Sequence, residues 1–325
     1  MSGKKPRIGA TFVLLIASAP LVCSNAFGHQ GESIGPDDFW TAWELEPGIV
    51  ISLILSGWLY LRGVRALWRT CGRGVGIQKW EAAAYTAGWA WLAIALASPL
   101  HPLGESLFSA HMAQHEILMI IAAPLLVLGR PLIAFLWALP MSWRRALGRI
   151  GRPGALQSGW RTLTNVTVAW CLQAAILWVW HIPRFYDASI TSEWVHAAQH
   201  LCFLGSALLF WWALIHGREG RMGYGAATFY VFATAAHSSA LGALLTFAPT
   251  VWYPAYLSTT AQWGLTTLQD QQLAGLLMWV PTGVIYLVAG LMLFAGWLNA
   301  RGPDHWPGVR LKSARSLAIE KTNSH

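Results

Sequence analysis

The chain has 325 residues, of which 55% are apolar and only 11% charged. A soluble domain carries about 25% charged residues, so an ordinary soluble globule is excluded. The formal net charge of +8 would suit nucleic acid, but its distribution along the chain, described below, assigns it to the flanks of membrane spans instead.

The N-terminus has the pattern of a secretory signal. Lys4, Lys5 and Arg7 precede a short apolar run over 8–22, and Ser24-Asn25-Ala26 supplies small residues for cleavage. Cys23 follows Val22, a poor match to a lipidation motif. The expected organisation is a signal peptide over 1–28 and an acidic arm over 29–48, with Glu32, Asp37, Asp38, Glu44 and Glu46. A seven-helix membrane domain over 49–298 and a basic tail over 299–325 follow.

A span needs about 20 mostly apolar residues. Seven windows meet this after the signal: 49–67, 82–100, 109–128, 164–180, 194–215, 225–247 and 273–298. The stretch 131–140 is too short to cross, and is expected to lie in the interface or to extend the third helix past a proline kink. The fold class is therefore an all-α polytopic bundle in a lipid bilayer. The 21 tryptophans suit membrane–water boundaries.

Arg and Lys orient the bundle. One set of loops holds Arg62, Arg65, Arg69, Arg73 and Lys79, then Arg130, Arg144, Arg145, Arg149, Arg152 and Arg161, then Arg218 and Arg221, and finally Arg301, Arg310, Lys312, Arg315 and Lys321. The opposite side, beyond the signal, holds only Arg184. Positive charge stays in the cytoplasm, so the sequence predicts a bacterial inner-membrane protein with a periplasmic mature N-terminus and a cytoplasmic C-terminus. The loop over 248–272 has no basic residue and carries Trp252, Tyr253, Tyr256 and Trp263, which predicts a lid on the periplasmic surface.

The histidines gather on that periplasmic side. His101 and His181 end spans there, and both are read as solvated interfacial residues that could also catch an ion. His111 and His115 open the third span, and His196 and His200 open the fifth. His237 sits about 18 Å into the sixth span, at about 1.5 Å per residue. His111-Met112-Ala113-Gln114-His115 and His196-Ala197-Ala198-Gln199-His200 share the pattern H-x-x-Q-H. Four residues turn a helix by about 400°, so both rings of each pair lie on one face. Two such pairs at similar depth can hold one metal ion.

Imidazole suits copper, zinc, iron and nickel, and thioether favours cuprous copper. Met119, one turn below His115, could add a soft ligand, against the plainer role of core packing. Glu116 and Asp270 could orient a ligand ring, and His237 could be a fifth ligand or a relay. Asp270 also suits the N-terminus of its own helix. Cys23, Cys71, Cys171 and Cys202 show no close spacing, so neither a thiolate site nor a disulfide framework is expected.

Three segments carry a family resemblance. The first runs from His111 through Pro124-Leu125-Leu126-Val127-Leu128-Gly129-Arg130-Pro131. The second is the His196–His200 motif. The third is Asp270-Gln271-Gln272-Leu273-Ala274-Gly275-Leu276-Leu277-Met278-Trp279-Val280-Pro281. Together they resemble the polytopic CtaG-type cytochrome c oxidase assembly proteins, over roughly 49–298. An unrelated copper chaperone shares that name, but it has one span, a soluble β-domain and a cysteine pair, which this chain lacks.

The resemblance implies a non-enzymatic role in maturing haem–copper oxidases. The partners implied are an oxidase subunit in the membrane and a periplasmic copper donor, with no nucleic acid. Copper at His111, His115, His196 and His200 is the expected cargo. Bis-histidine haem binding, a hydrolase with Glu116 as base, and a metal-independent scaffold for oxidase subunits are the alternatives.

Overall fold

The computed structural model describes residues 34–150, 154–216 and 223–300, and all regular elements among them are helices. The expected signal peptide over 1–28, the start of the acidic arm and the tail after Ala300 lie outside the described residues.

The first helix, α1 (Pro47–Cys71), begins on a proline, whose missing N–H costs nothing in a first turn, and ends at Gly72 with φ 97°. Helix α2 (Lys79–Ala97) opens on a reciprocal cap, in which Gln78 N donates to Glu81 Oε2 at 2.7 Å. It breaks at Ser98-Pro99 and bends by 44° into α3 (Leu100–Ser106). Helix α4 (Phe108–Leu128) contains a π-helical turn over Ile117–Ala122 and is the most enclosed span.

The segment after α4 does not continue that helix. Gly129 ends α4, and Arg130 takes a left-handed conformation at φ 50°. Gly129 O accepts from Tyr60 Oη at 2.7 Å, and Arg130 Nε pairs with Glu81 at 2.6 Å. The chain therefore turns back, and α5 (Pro131–Ala138) packs on α1, burying Leu132, Ala134, Phe135 and Ala138. Gly63 of α1 has no room for a side chain, because the Ala134 backbone occupies that space.

Two short helices, α6 (Met141–Ile150) and α7 (Ala155–Leu163), lead into α8 (Val166–Trp180), with α7 and α8 bent by 64°. Asn165 caps α8 by accepting from Thr167 N at 3.0 Å. A further short helix, α9 (Pro183–Thr191), precedes three long ones: α10 (Glu193–His216), α11 (Tyr224–Thr246) and α12 (Thr267–Ala300). Among the described residues five helices are long and apolar enough to cross a membrane, and counting each bent pair as one span raises the number to seven.

The polarity of the bundle is inverted relative to a soluble protein. Phe229 is 70% exposed and Met292 71%, while His111, Gln114, Gln199 and Asp270 are all 0% exposed. Water would invert that preference, whereas lipid favours it. Helices α11 and α12 meet closely at Gly242 and Gly275. A side chain at Gly275 would press on Gly242 O and Thr246 N, each at 2.6 Å. Small residues at such crossings let helix backbones approach in a membrane.

Candidate metal site

One end of the bundle carries the histidines. Ile34 of the arm joins that end, its carbonyl accepting from Trp263 Nε1 at 3.2 Å. Within each H-x-x-Q-H motif the helical turn brings the rings together, as the spacing predicts. His111 Nε2 lies 3.0 Å from His115 Nε2, and His196 Nε2 lies 3.1 Å from His200 Nε2. The two pairs also meet each other. Ring centroids are 5.0 Å apart for His111–His196 and 5.2 Å for His115–His200.

Two overlapping triads of nitrogen ligands result, each with its ligand atoms within 4.8 Å of one another: His111, His115 and His200, and His101, His196 and His200. His101 is therefore not a solvated interfacial residue. It is 8% exposed and stacks on His196 with centroids 5.2 Å apart.

Hydrogen bonding separates the two triads. Gln114 Nε2 donates to Ala95 O at 2.7 Å and meets His101 Nδ1 at 2.9 Å. Only the amide nitrogen can satisfy the Ala95 carbonyl, so the amide orientation is fixed. His101 Nδ1 is then an acceptor, and a neutral His101 carries its proton on Nε2. That nitrogen has no lone pair to offer a cation. In the triad of His111, His115 and His200, His115 Nδ1 has no hydrogen-bond partner, so no neighbouring donor fixes that ring's proton on Nε2.

The surroundings of that triad contain unsatisfied polar atoms. His115 Nδ1, His181 Nε2 and Gln114 Oε1 are buried without a hydrogen-bond partner. Buried polar atoms are normally paired, so this concentration suits a polar or charged guest. The donor set is imidazole nitrogen, which suits a copper ion. Among the described residues the free cysteines are Cys71, Cys171 and Cys202. None belongs to either triad.

His181, like His101, is buried (5%) rather than solvated, and its Nδ1 faces Leu177 O at 2.6 Å. Phe203 lies between the rings of His115 and His181, at 4.5 and 6.2 Å. At the rim of this end, Glu44 and Glu193 lie near Glu46, and they join burial in holding the Glu46 carboxyl above its usual range.

The remaining predicted residues take other places. Met119 Sδ faces Gln173 Nε2 of α8 at 3.6 Å, and the Met119 carbonyl accepts from Trp211 Nε1 at 2.8 Å. Glu116 accepts a short hydrogen bond from Thr282 of α12, just after Pro281. His237 packs edge-on against Trp170 with centroids 5.5 Å apart and belongs to neither triad.

Asp270 does not serve its own helix end. Its carboxylate accepts from Phe108 N at 2.6 Å, Ser109 N at 3.1 Å and Ser109 Oγ at 2.5 Å. It thus caps the first turn of α4, where the preceding Leu107 has no capping side chain. An acid at the start of α12 fixes the helix that carries His111 and His115.

The model of one family, the cytochrome c oxidase caa3 assembly factors, matches residues 58–300. This chain belongs to that family. Curated relatives of the chain include uncharacterized proteins of Mycobacterium bovis and Mycobacterium tuberculosis, each 27% identical over 270 residues. A third, from Mycobacterium leprae, is 26% identical over 288 residues. These matches cover 79–84% of the present chain but only 39–41% of the relatives, so the chain spans about two fifths of their length. No solved structure matches it.

The three resembling segments of the chain converge in space. The first supplies His111, His115 and the Gly129-Arg130 turn. The second supplies His196 and His200, and the third supplies Asp270, which holds the first in place.

The loop after α11, expected as a surface lid, also sends two tyrosines inward. Tyr253 and Tyr256 are buried at 1% and 0%. Tyr253 Oη donates to His181 O at 2.8 Å, and Tyr256 Oη to Gly104 O at 3.0 Å. Trp252 N donates to Gln271 Oε1 at 2.6 Å. The loop is a plug whose tyrosines reach the histidines. Sequence reasoning missed Tyr256, Tyr186, Gln114 and Gln199. The glutamine inside each H-x-x-Q-H motif was the available signal, since it recurs with the ligands.

Proposed function

We propose that this assembly factor takes up cuprous copper from the periplasmic face of the inner membrane and passes it to a haem–copper oxidase subunit. The ion is held by His111, His115 and His200, with His196 as a fourth donor. The observation that carries this reading is the convergence of three imidazole nitrogens from α4 and α10 within 4.8 Å, among buried polar atoms without partners.

Three features support copper as a transferable cargo. The ligands are neutral nitrogens, which hold copper without the tight grip of thiolates. Ligation through His115 Nε2 moves that ring's proton to Nδ1, which is buried without an acceptor. An unsatisfied buried donor costs about 1–3 kcal/mol, a loss of affinity of roughly 5- to 150-fold. The site therefore favours exchange over storage. Acidic residues at the rim, Glu44, Glu46 and Glu193, favour arrival of a cation.

Periplasmic access follows from the positive-inside distribution, which sets the histidine end away from the arginine-rich loops. Ring spacing suits one ion better than haem. The four rings lie in direct contact, with centroids 4.3–6.0 Å apart, and a tetrapyrrole between them would force them apart.

Metal analysis of the purified protein tests the reading. About one copper per chain is expected after reconstitution with cuprous ion. Replacing His111, His115, His196 and His200 together with Ala should abolish it. Unchanged copper content in that variant would remove the metal role and favour a metal-independent scaffold.

A further inference from the structure

We infer that Tyr256, in the plug loop, is a positioning residue that sets which nitrogen of His111 faces the ion. The inference rests on the copper reading above and adds to it a specific hydroxyl. Tyr256 Oη lies within reach of three groups: Gly104 O at 3.0 Å, Tyr186 Oη at 2.8 Å and His111 Nδ1 at 3.3 Å. Counting protons decides their roles. A carbonyl can only accept, so the single Tyr256 proton goes to Gly104 O. The proton between the two phenols then belongs to Tyr186, which donates to Tyr256.

Tyr256 oxygen is left with acceptor capacity toward His111. A bare Nδ1 there would set lone pair against lone pair, so His111 carries its proton on Nδ1 and donates to Tyr256. Its Nε2 is consequently the lone-pair nitrogen, and it is this atom that sits 3.0 Å from His115 Nε2. The proton between those two rings belongs to His115 until an ion displaces it.

The arrangement is reinforced from both sides. Tyr186 and Tyr256 are 0% exposed, so water does not compete for these bonds. Gly104 approaches the His111 backbone so closely that a Cβ on it would lie 3.3 Å from His111 Cα. The plug loop thus does more than cover the site. It orients one ring of the ion site, acting together with the Gly104 backbone, which also hydrogen-bonds His111. A metal-bound histidine commonly donates its other N–H to a fixed acceptor, and loss of that acceptor costs about 10- to 100-fold in affinity.

Tyr253 provides the matched control. It lies in the same loop, is equally buried and donates to a backbone carbonyl, but its hydroxyl bonds no histidine ring. The experiment is competition for cuprous ion between the full-length detergent-solubilised protein and a colorimetric cuprous chelator, with Tyr256→Phe and Tyr253→Phe compared. Tyr256→Phe is expected to weaken copper binding at least about 10-fold, and Tyr253→Phe by less than about 3-fold.

Equal affinities for Tyr256→Phe and the unmodified protein would overturn the inference. So would equal losses in both variants, which would mean that loop closure in general is what matters. Nitrogen-15 NMR of histidine-labelled unmodified protein without metal provides a reading independent of any variant's folding. His111 should show the Nδ1–H tautomer, and an Nε2–H tautomer would refute the proton assignment. Failure of the unmodified protein to bind copper would instead strike the site itself, and the role of Tyr256 would fall with it.

Discussion

Replacing Asp270 tests how the bundle holds its candidate site. The carboxylate accepts three hydrogen bonds from the first turn of α4, from residues more than 160 positions away in the chain. Loss of a helix cap costs about 0.5–2 kcal/mol, and each backbone N–H left buried and unpaired costs about 1–3 kcal/mol. These contributions overlap, so Asp270→Ala should destabilise the protein by about 3 kcal/mol. Asp270→Asn keeps one acceptor but turns its amide nitrogen toward a donor, for a loss of about 1–2 kcal/mol.

Thermal unfolding in detergent, followed by tryptophan fluorescence, should show the order unmodified, Asn, Ala. The Ala variant should melt roughly 5–10 °C lower. Copper per chain should persist in the Asn variant, because the carboxylate positions ligands and is not one. An Ala variant that melts with the unmodified protein would refute the capping argument. Copper lost from the Asn variant without a change in melting would make Asp270 a ligand instead.

Other outcomes follow from the packing. Gly275→Ala places a Cβ against the Gly242 and Thr246 backbones, which cannot yield, and should cost about 1–3 kcal/mol; Gly290→Ala, with open space around it, should melt with the unmodified protein. Arg130 holds a left-handed conformation at φ 50° and a half-exposed ion pair with Glu81. Arg130→Gly relieves the strain and Arg130→Ala does not, so the Gly variant should be the more stable of the two by about 1 kcal/mol, checked as a difference in melting temperature. Cys71 is exposed at the end of α1, among the arginines expected in the cytoplasm. With Cys23, Cys171 and Cys202 replaced by Ser, a membrane-impermeant maleimide should label Cys71 in inside-out vesicles and not in intact spheroplasts, and the reverse pattern would invert the orientation.

The site was half legible before the fold was known. The pairing of His111 with His115, and of His196 with His200, is a matter of helical pitch, and the structure keeps it. The meeting of the two pairs was a conjecture from matching depth. The place of His101 was misread, because a histidine at a span end is usually wet, and only the bend between α2 and α3 turns this one inward. The left-handed turn at Arg130 was equally hidden. A proline after a long span suggests a kink, and the reversal depends on Tyr60 and Glu81, which are distant in sequence.

By itself, then, the sequence determined the all-helical membrane class, the approximate spans, the face shared by each histidine pair and the resemblance to oxidase assembly factors. These follow from composition and local periodicity, which act over a few residues. The tertiary structure alone decided which histidines converge, where Asp270 directs its carboxylate and how Tyr256 meets His111. Those relations join groups 85 to 162 positions apart, across helices whose mutual rotation no local pattern encodes.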